Sequence, residues 1–298
     1  MNSIKNQRFL SIRETNYLLA RAFFVKAFSC CMILLMSDDK IGKESFFMSK
    51  DNAGRAFMRA TYYENMPEQS DQELALPQPP LERPAEEGKK IVALPKAADL
   101  QVPPVDLREA IEGRHSVRAY ADAPLTLEEL SWLLWATQGV RKVGFGVGSH
   151  RTYRNVPSAG GRHPFETYIA VRAVDGLQPG IYRFLAVEHA LQEVDVPRDV
   201  APDIVSLCRG QTFMEQAAVT FVWMADEYRA GWRYKARAYR GIFQDAGHVG
   251  QNLYLAASNI DCGVCAIGAF EDLKLAHFLQ TDGVELFVAY AAAVGKRK

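Results

Sequence analysis

Eight prolines between residues 67 and 104 divide this chain before any other feature does. Pro67, Pro77, Pro79, Pro80, Pro84, Pro95, Pro103 and Pro104 leave no stretch free for a regular helix. Each proline ring fixes φ and removes a backbone donor, which favours extended forms. A segment of this kind gains its shape by wrapping a surface, either that of its own domain or that of a partner. The 298 residues suffice for one large domain or two small ones with a sizeable core, and the packed pattern begins where the prolines end.

From Asp106 onward the texture is mixed α/β. Asp106 to Glu109 reads as a capping box opening a short helix that Gly113 closes. Thr126 to Glu129 repeats the signal and starts an apolar helix through Leu130, Leu133, Leu134 and Thr137, with Gly139 at its end. Thr167, Ile169 and Val171 alternate with Glu166, Tyr168 and Arg172, which predicts a strand with one buried face. Pro179-Gly180 signals a type II turn into a strand over Ile181–Leu185. Ala217 to Met224 is a continuous apolar run, as in a central strand. Residues 233–259 read as one long helix, in which Ala246 and Gly250 share a face that suits either a subunit interface or packing within the chain. Two further strands, Gly263–Ile267 and Leu286–Val294, flank a helix near Leu273–Leu279.

The first 47 residues differ from the rest. Lys5, Arg8, Arg13, Arg21 and Lys26 precede an uncharged apolar stretch from Ala27 to Met36, which has the outline of an export signal. The run is shorter than the ~20 residues a spanning helix needs, and Ser37-Asp38-Asp39-Lys40 offers no small-residue cleavage site. Met48 opens more ordinary sequence. We therefore divide the chain into 1–47, a leader or over-extended start with an export signal as the alternative; 48–104, the extended Pro-rich segment; and 105–298, the folded domain.

Lysine plus arginine equal aspartate plus glutamate at 35 each, so no global field points to nucleic acid or a membrane surface. Any bound anion must be held locally. The cysteines are Cys30, Cys31, Cys208 and a CxxC at Cys262 and Cys265. That pattern fits reduced, cytoplasmic protein, with the CxxC packing in a small-residue strand rather than acting in redox chemistry. His150, His163, His189, His248 and His277 show no ligand spacing, so no metal is expected.

Three local features carry chemistry. Arg114-His115-Ser116-Val117-Arg118 follows the first helix, and in an extended segment residues 114, 116 and 118 point to one side, where two guanidiniums and a hydroxyl suit a phosphate. Pro157-Ser158-Ala159-Gly160-Gly161-Arg162-His163-Pro164 is a loop whose small residues let backbone amides approach a flat ligand. Val294-Gly295-Lys296-Arg297-Lys298 is a basic cluster after a strand. Each alone would pass for surface; their order is informative.

Together they resemble the nitroreductase superfamily, and more closely its SagB/ThcOx-type dehydrogenase branch. Leu130–Gly139, Val156–Gly161, Pro164–Val171, Asp245–Ala257 and Gly268–Leu279 carry the likeness, which covers most of residues 50–298. The resemblance implies an α+β fold, with a mostly antiparallel central sheet flanked by helices, in a homodimer whose flavin site lies at the subunit interface. It implies FMN as cofactor, held at its phosphate by Arg114, Ser116 and Arg118, with His115 near the ribityl chain. Pro157, Ser158, Ala159 and Gly160 would line the ring, Gly268 would face the N5 edge, and Lys296 or Arg297 would add a phosphate contact. Members that oxidise azolines in peptides carry a Lys-Tyr pair where this chain has Arg233-Tyr234. Arginine does not serve as a base, so azoline oxidation is in doubt, although Tyr234 retains a proton to relay. The activity implied is ping-pong transfer from NADH or NADPH to a nitro or quinone-like acceptor. The alternatives are oxidation of a modified peptide and non-catalytic flavin binding.

Overall fold

Two caps written in the sequence start the domain. In the computed structural model, which describes residues 52–146, 149–196 and 200–298, Asp106 accepts hydrogen bonds from the backbone N–H groups of Arg108 and Glu109 and opens α1, Leu107–Gly113. Thr126 and Glu129 bond reciprocally and open α2, Leu127–Gln138. Such caps satisfy backbone donors that a helix start leaves free, each worth about 1 kcal/mol. The division at residue 47 and the Cys30-Cys31 pair lie outside the described residues. Residues 57–298 form one compact unit.

The strands are β1 (Ile91–Ala93), β2 (Val140–Gly146), β3 (Ser149–Arg154), β4 (Phe165–Val171), β5 (Gly180–Leu185), β6 (Ala190–Val194), β7 (Val219–Asp226), β8 (Cys262–Ile267) and β9 (Leu286–Lys296). Seven of them form one sheet in the order β1-β6-β5-β4-β7-β9-β8. Every neighbouring pair in it is antiparallel. β2 and β3 pair as a separate antiparallel hairpin. A helix over Ala53–Ala60 precedes these elements, and the helices that follow α2 are α3 (Ala201–Leu207), α4 (Glu227–Tyr234), α5 (Ala238–Ser258) and α6 (Asp272–Phe278).

The period of two along the central strands builds two cores. Ile169, Val171, Phe221 and Trp223 pack with Leu130, Leu133 and Leu134 of α2 and with Ile242, Val249 and Leu253 of α5. Their alternates Tyr168, Ala170, Val222 and Met224 pack with Ile204 and Val205 of α3 and Leu275 and Ala276 of α6. Each fully buried side chain of this size contributes about 1.5–3 kcal/mol. The sheet is therefore covered on both faces, and β4 is buried at every position rather than on one face. Ala246 is buried in the first core, and the Tyr290 ring fills the space that a Cβ on Gly250 would need, 2.8 Å away. The small face of the long helix thus serves packing within the chain.

Three expectations about the backbone are corrected. Residues 233–259 are not one helix: α4 ends at Tyr234, Lys235 turns the chain with φ 53° and ψ −144°, and α5 begins at Ala238. The turn before β5 is not at Pro179-Gly180. It closes at Val174–Leu177, where Gly176 has φ 82° and the Leu177 N–H donates to the Val174 carbonyl. The Pro-rich segment also contributes a strand, β1, to the sheet edge. Elsewhere that segment lies on the surface of its own domain. Trp232 Nε1 donates to the Leu76 carbonyl, Glu82 accepts from the Ala186 and Val187 N–H groups, and Arg183 donates to the Pro84 carbonyl.

Candidate active site

The Arg114–Arg118 segment is pinned along edge strand β8. The Val117 N–H donates to the Val264 carbonyl, and Ser116 bridges Val264 in parallel. Two glycines make this docking possible. A Cβ on Gly263 would fall 2.6 Å from Val117, and one on Gly295 would fall 2.8 Å from the Tyr120 ring. With Val117 and Tyr120 turned inward, Arg114, Ser116 and Arg118 are left exposed. The Tyr120 hydroxyl donates within this corner to the Val117 and Ala293 carbonyls, and burial pushes its ionisation well up.

Arg114 and Ser116 meet at Tyr254 of α5. The guanidinium lies 5.3 Å over the Tyr254 ring, and the Ser116 Oγ is 3.0 Å from the Tyr254 Oη, which also accepts from the Ala266 N–H. Arg118 is carried to the other side of the strand, 6.0 Å over Phe213. Neither guanidinium has a carboxylate within ion-pair distance among the described residues. His115 is exposed, with Nδ1 2.9 Å from the Gly113 carbonyl oxygen. Gly268 follows β8 with open space where a side chain would be. Of the two tail cations expected at the phosphate, Lys296 is occupied by the Glu129 carboxylate and the Ile260 carbonyl. Arg297 donates from Nε to the Cys262 carbonyl.

The Pro157–Gly161 loop sits at the other end of α5. The Ala159 N–H donates to Asp245 Oδ1 at 3.2 Å, and the Ser158 hydroxyl accepts from the His163 N–H at 2.8 Å. Burial raises the Asp245 carboxyl, partly offset by its bonds to Ser158 and Ala159. Gly160 has φ 58° and ψ 18°, and the Tyr234 hydroxyl stands 2.3 Å from where its Cβ would be. Only glycine allows the tyrosine to lie against the loop. Tyr234, Ala159, Arg162, Tyr63, Gln244 and Asp245 line a cavity of about 180 Å³. Tyr63 and Tyr234 also border a second cavity of about 260 Å³, lined as well by Arg233, Lys235, Ser70 and Glu73. Lys235 Nζ reaches the Pro67 carbonyl at 2.6 Å, so the Pro-rich segment forms part of that wall.

The buried charge beneath the loop is mostly positive. Arg162 and Arg229 are 5% and 1% exposed. Arg229 pairs with buried Glu166 and with Asp226, whereas Arg162 donates only from Nε, to the Arg229 carbonyl. Burial first, and then Arg154, Arg162 and Arg229, push the His163 imidazole down to about 3, so it is neutral at physiological pH. Among the described residues no group of acidic, histidine or cysteine side chains could hold a metal, and no helix is long and apolar enough to cross a membrane.

Comparison with known proteins matches the nitroreductase family model to residues 111–296. The chain belongs to the nitroreductase family. It is an oxidoreductase of that family, with its fold. It is 31% identical over 185 residues to MJ1384 of Methanocaldococcus jannaschii, described as a nitroreductase, covering 61% of this chain and 89% of that protein. A structure from Anabaena variabilis, also described as a nitroreductase, superposes with a TM-score of 0.58 at 27% identity, over 71% of this chain and 42% of that one. Over 121 residues the chain is 28% identical to the trifolitoxin-processing protein TfxB of Rhizobium leguminosarum, spanning 38% of this chain and 31% of TfxB.

In this nitroreductase-family chain the residues singled out by sequence fall into two clusters. Arg114, His115, Ser116, Gly268 and Arg297 lie about edge strand β8, with Arg118 on its far side. Pro157, Ser158, Ala159 and Gly160 join Tyr234 and Arg233, whose guanidinium lies 5.5 Å over the Tyr234 ring. Sequence reasoning missed Tyr254, Asp245, Arg162 and Tyr63. Tyr254 and Asp245 are ordinary-looking helix positions; nine residues of helix at 1.5 Å each put them about 14 Å apart on α5. Arg162 stood in a loop already noticed, and a charge between paired glycines and a proline was the available signal.

Proposed function

We propose that this protein is an FMN-dependent oxidoreductase that takes electrons from NADH or NADPH and passes them to a small conjugated acceptor in ping-pong fashion. The observation that carries the reading is the corner at Tyr254. An exposed guanidinium and two hydroxyls share one spot beside a glycine-flanked strand end, with a second exposed guanidinium, Arg118, on the far side of the same strand and no carboxylate among the described residues to neutralise either cation. That donor set fits a phosphate monoester. Arg114, Ser116 and Arg297 would hold the phosphate, exposed Arg118 would join them by swinging its side chain away from Phe213, and Gly268 leaves room for the ring edge. When bound, FMN supplies hydride acceptance and donation, so the protein needs to bind, orient and shield rather than provide an acid–base triad. Tyr234, whose hydroxyl lies against Gly160, would hold a proton at the acceptor.

We further assign the working unit as a homodimer. The Tyr254 corner and the Pro157 loop lie at opposite ends of one helix segment, and a flat cofactor anchored at the first is completed most simply by the loop of a second copy. Exposed Leu107 and Ile111 on α1 offer apolar surface for such an interface. The buried, free Cys208, Cys262 and Cys265 fit a reducing compartment, and we assign the protein to the cytoplasm. The likeness to TfxB supports a second reading, oxidation of a modified peptide; the exposed Arg233 in place of a lysine weighs against it.

Titration of apoprotein with FMN, read by flavin fluorescence, tests the assignment. A charge-assisted hydrogen bond contributes about 1.5–3 kcal/mol, so Arg114→Ala and Arg118→Ala each weaken binding roughly 10- to 100-fold. Unchanged affinity in both variants would remove the Tyr254 corner from the cofactor site.

A further inference from the structure

We propose that the cavity beside Tyr234 selects acceptors that carry a carboxylate, and that Arg162 is the residue that binds it. The inference rests on the oxidoreductase reading above and adds the substrate class. Arg162 is 5% exposed and lines the cavity of about 180 Å³ with Tyr234, Ala159 and Asp245. Its guanidinium lies 5.0 Å over the Trp232 ring, and Nε donates to the Arg229 carbonyl at 2.8 Å, so the plane of the fork is fixed. Its Nη2 is shut off from solvent without a hydrogen-bond partner, and Nη1, which is not shut off, donates to no group of the described residues. Unpartnered nitrogens also occur on buried Arg154, Arg183 and Arg229, but of these four arginines only Arg162 belongs to the wall of a described cavity.

The other charges on that wall do not neutralise it. Arg237 donates to the Thr61 carbonyl and lies over Tyr63, and Arg240 donates to the Thr61 hydroxyl and the Met58 carbonyl. Asp245 is committed to the Ala159 N–H and Ser158. Burial, with Arg229, Arg233 and Arg151 nearby, pulls the Arg162 guanidinium down to about 10, which still leaves it charged at neutral pH. A desolvated cation in a cationic neighbourhood is unfavourable unless an anion meets it. The planar fork matches a carboxylate better than a point charge would. The small volume restricts the rest of the ligand to about one ring.

The test uses the FMN-loaded protein. Benzoate and benzamide are titrated as non-reacting probes by tryptophan fluorescence, and 4-nitrobenzoate and 4-nitrobenzamide are compared as acceptors by kcat/KM. The expected result is at least a tenfold preference for the carboxylate in both assays, carried in turnover by KM. In Arg162→Gln the ratio falls to about one, and in Arg162→Lys it is intermediate. Comparing ratios within each protein cancels general damage, and the Arg162→Lys ratio, set against that of Arg240→Gln, decides the matter if the glutamine variant does not fold. A wild-type ratio near one, a ratio unchanged in Arg162→Gln, or displacement of benzoate by 0.1 M chloride through a halide-only site overturns the proposal. Carboxylate-selective binding without flavin reduction by NADH or NADPH refutes the reductase reading and leaves this one standing. Turnover without charge preference does the reverse.

Discussion

Replacing Gly160 by alanine tests whether the loop holds Tyr234 in place. Two costs act together. The backbone at φ 58° and ψ 18° is left-handed, which costs a residue with a Cβ about 1–2 kcal/mol. The new methyl would also lie 2.3 Å from the Tyr234 hydroxyl oxygen, while relaxed heavy-atom contacts run at about 3.5 Å or more. The phenol must retreat by about 1 Å. The backbone term alone predicts a drop in melting temperature of about 3–6 °C for a domain of this size. A 1 Å misplacement of a positioning group costs up to about 100-fold in kcat/KM. Calorimetry and steady-state kinetics measure both, and Tyr234→Phe separates them. Without the hydroxyl, the nearest ring atoms lie at 3.0 and 3.1 Å, so in that background Gly160→Ala keeps its stability cost but loses most of its kinetic one. If Gly160→Ala lowers kcat/KM by the same factor with and without the hydroxyl, the contact is irrelevant and the reasoning fails.

Further expectations follow from buried charge and thiols. Burial and a bond to Glu188 push the Glu82 carboxyl up from 4.5 to about 7. The folded protein therefore binds more protons than the unfolded chain between those values, and stability falls as pH rises through that window. Glu82→Gln should flatten melting temperature against pH between 5 and 8, and a parallel slope in both proteins would contradict the assignment. Arg229→Met leaves Glu166, 2% exposed, with the Arg83 N–H at 2.8 Å and Arg183 at 3.8 Å as its one remaining ion-pair partner among the described residues, and should destabilise by about 3–5 kcal/mol in urea unfolding; a loss under 1 kcal/mol would show the pair to be dispensable. Burial raises the thiols of Cys208 to about 11 and Cys262 to about 12, and that of Cys265 as well. Peptide mapping after iodoacetamide should find these three unmodified at pH 7.5 until the protein is denatured, and rapid native labelling of the CxxC would revive a redox role.

The sequence revealed the helices that begin with side-chain caps and the strands that run long and apolar, because those signals are local. It also revealed the two basic segments and the Pro157 loop, through their order along the chain. What it hid depends on residues acting against type or at a distance. The break between α4 and α5 falls on Lys235, whose left-handed backbone no lysine announces. The single-faced reading of β4 failed because helices cover both sides, and polar Glu166 is buried by pairing with Arg229. β1 was masked by flanking prolines, since an edge strand needs only three residues and a neighbour. Tyr254 gathers Ser116 from 138 residues away in sequence, and Arg114 with it, and no periodicity encodes that meeting. Arg118 alternates correctly with Val117 yet crosses to Phe213, a divergence that a strand pattern alone does not show.

The central claim is that the Tyr254 corner and the Pro157 loop serve a flavin. The visible absorption spectrum of the purified protein, taken before and after anaerobic addition of NADH or NADPH, tests it most directly. The account predicts flavin absorbance at about one FMN per chain, lost on adding the nucleotide and restored by 4-nitrobenzoate. A colourless protein that takes up no FMN on reconstitution would contradict it.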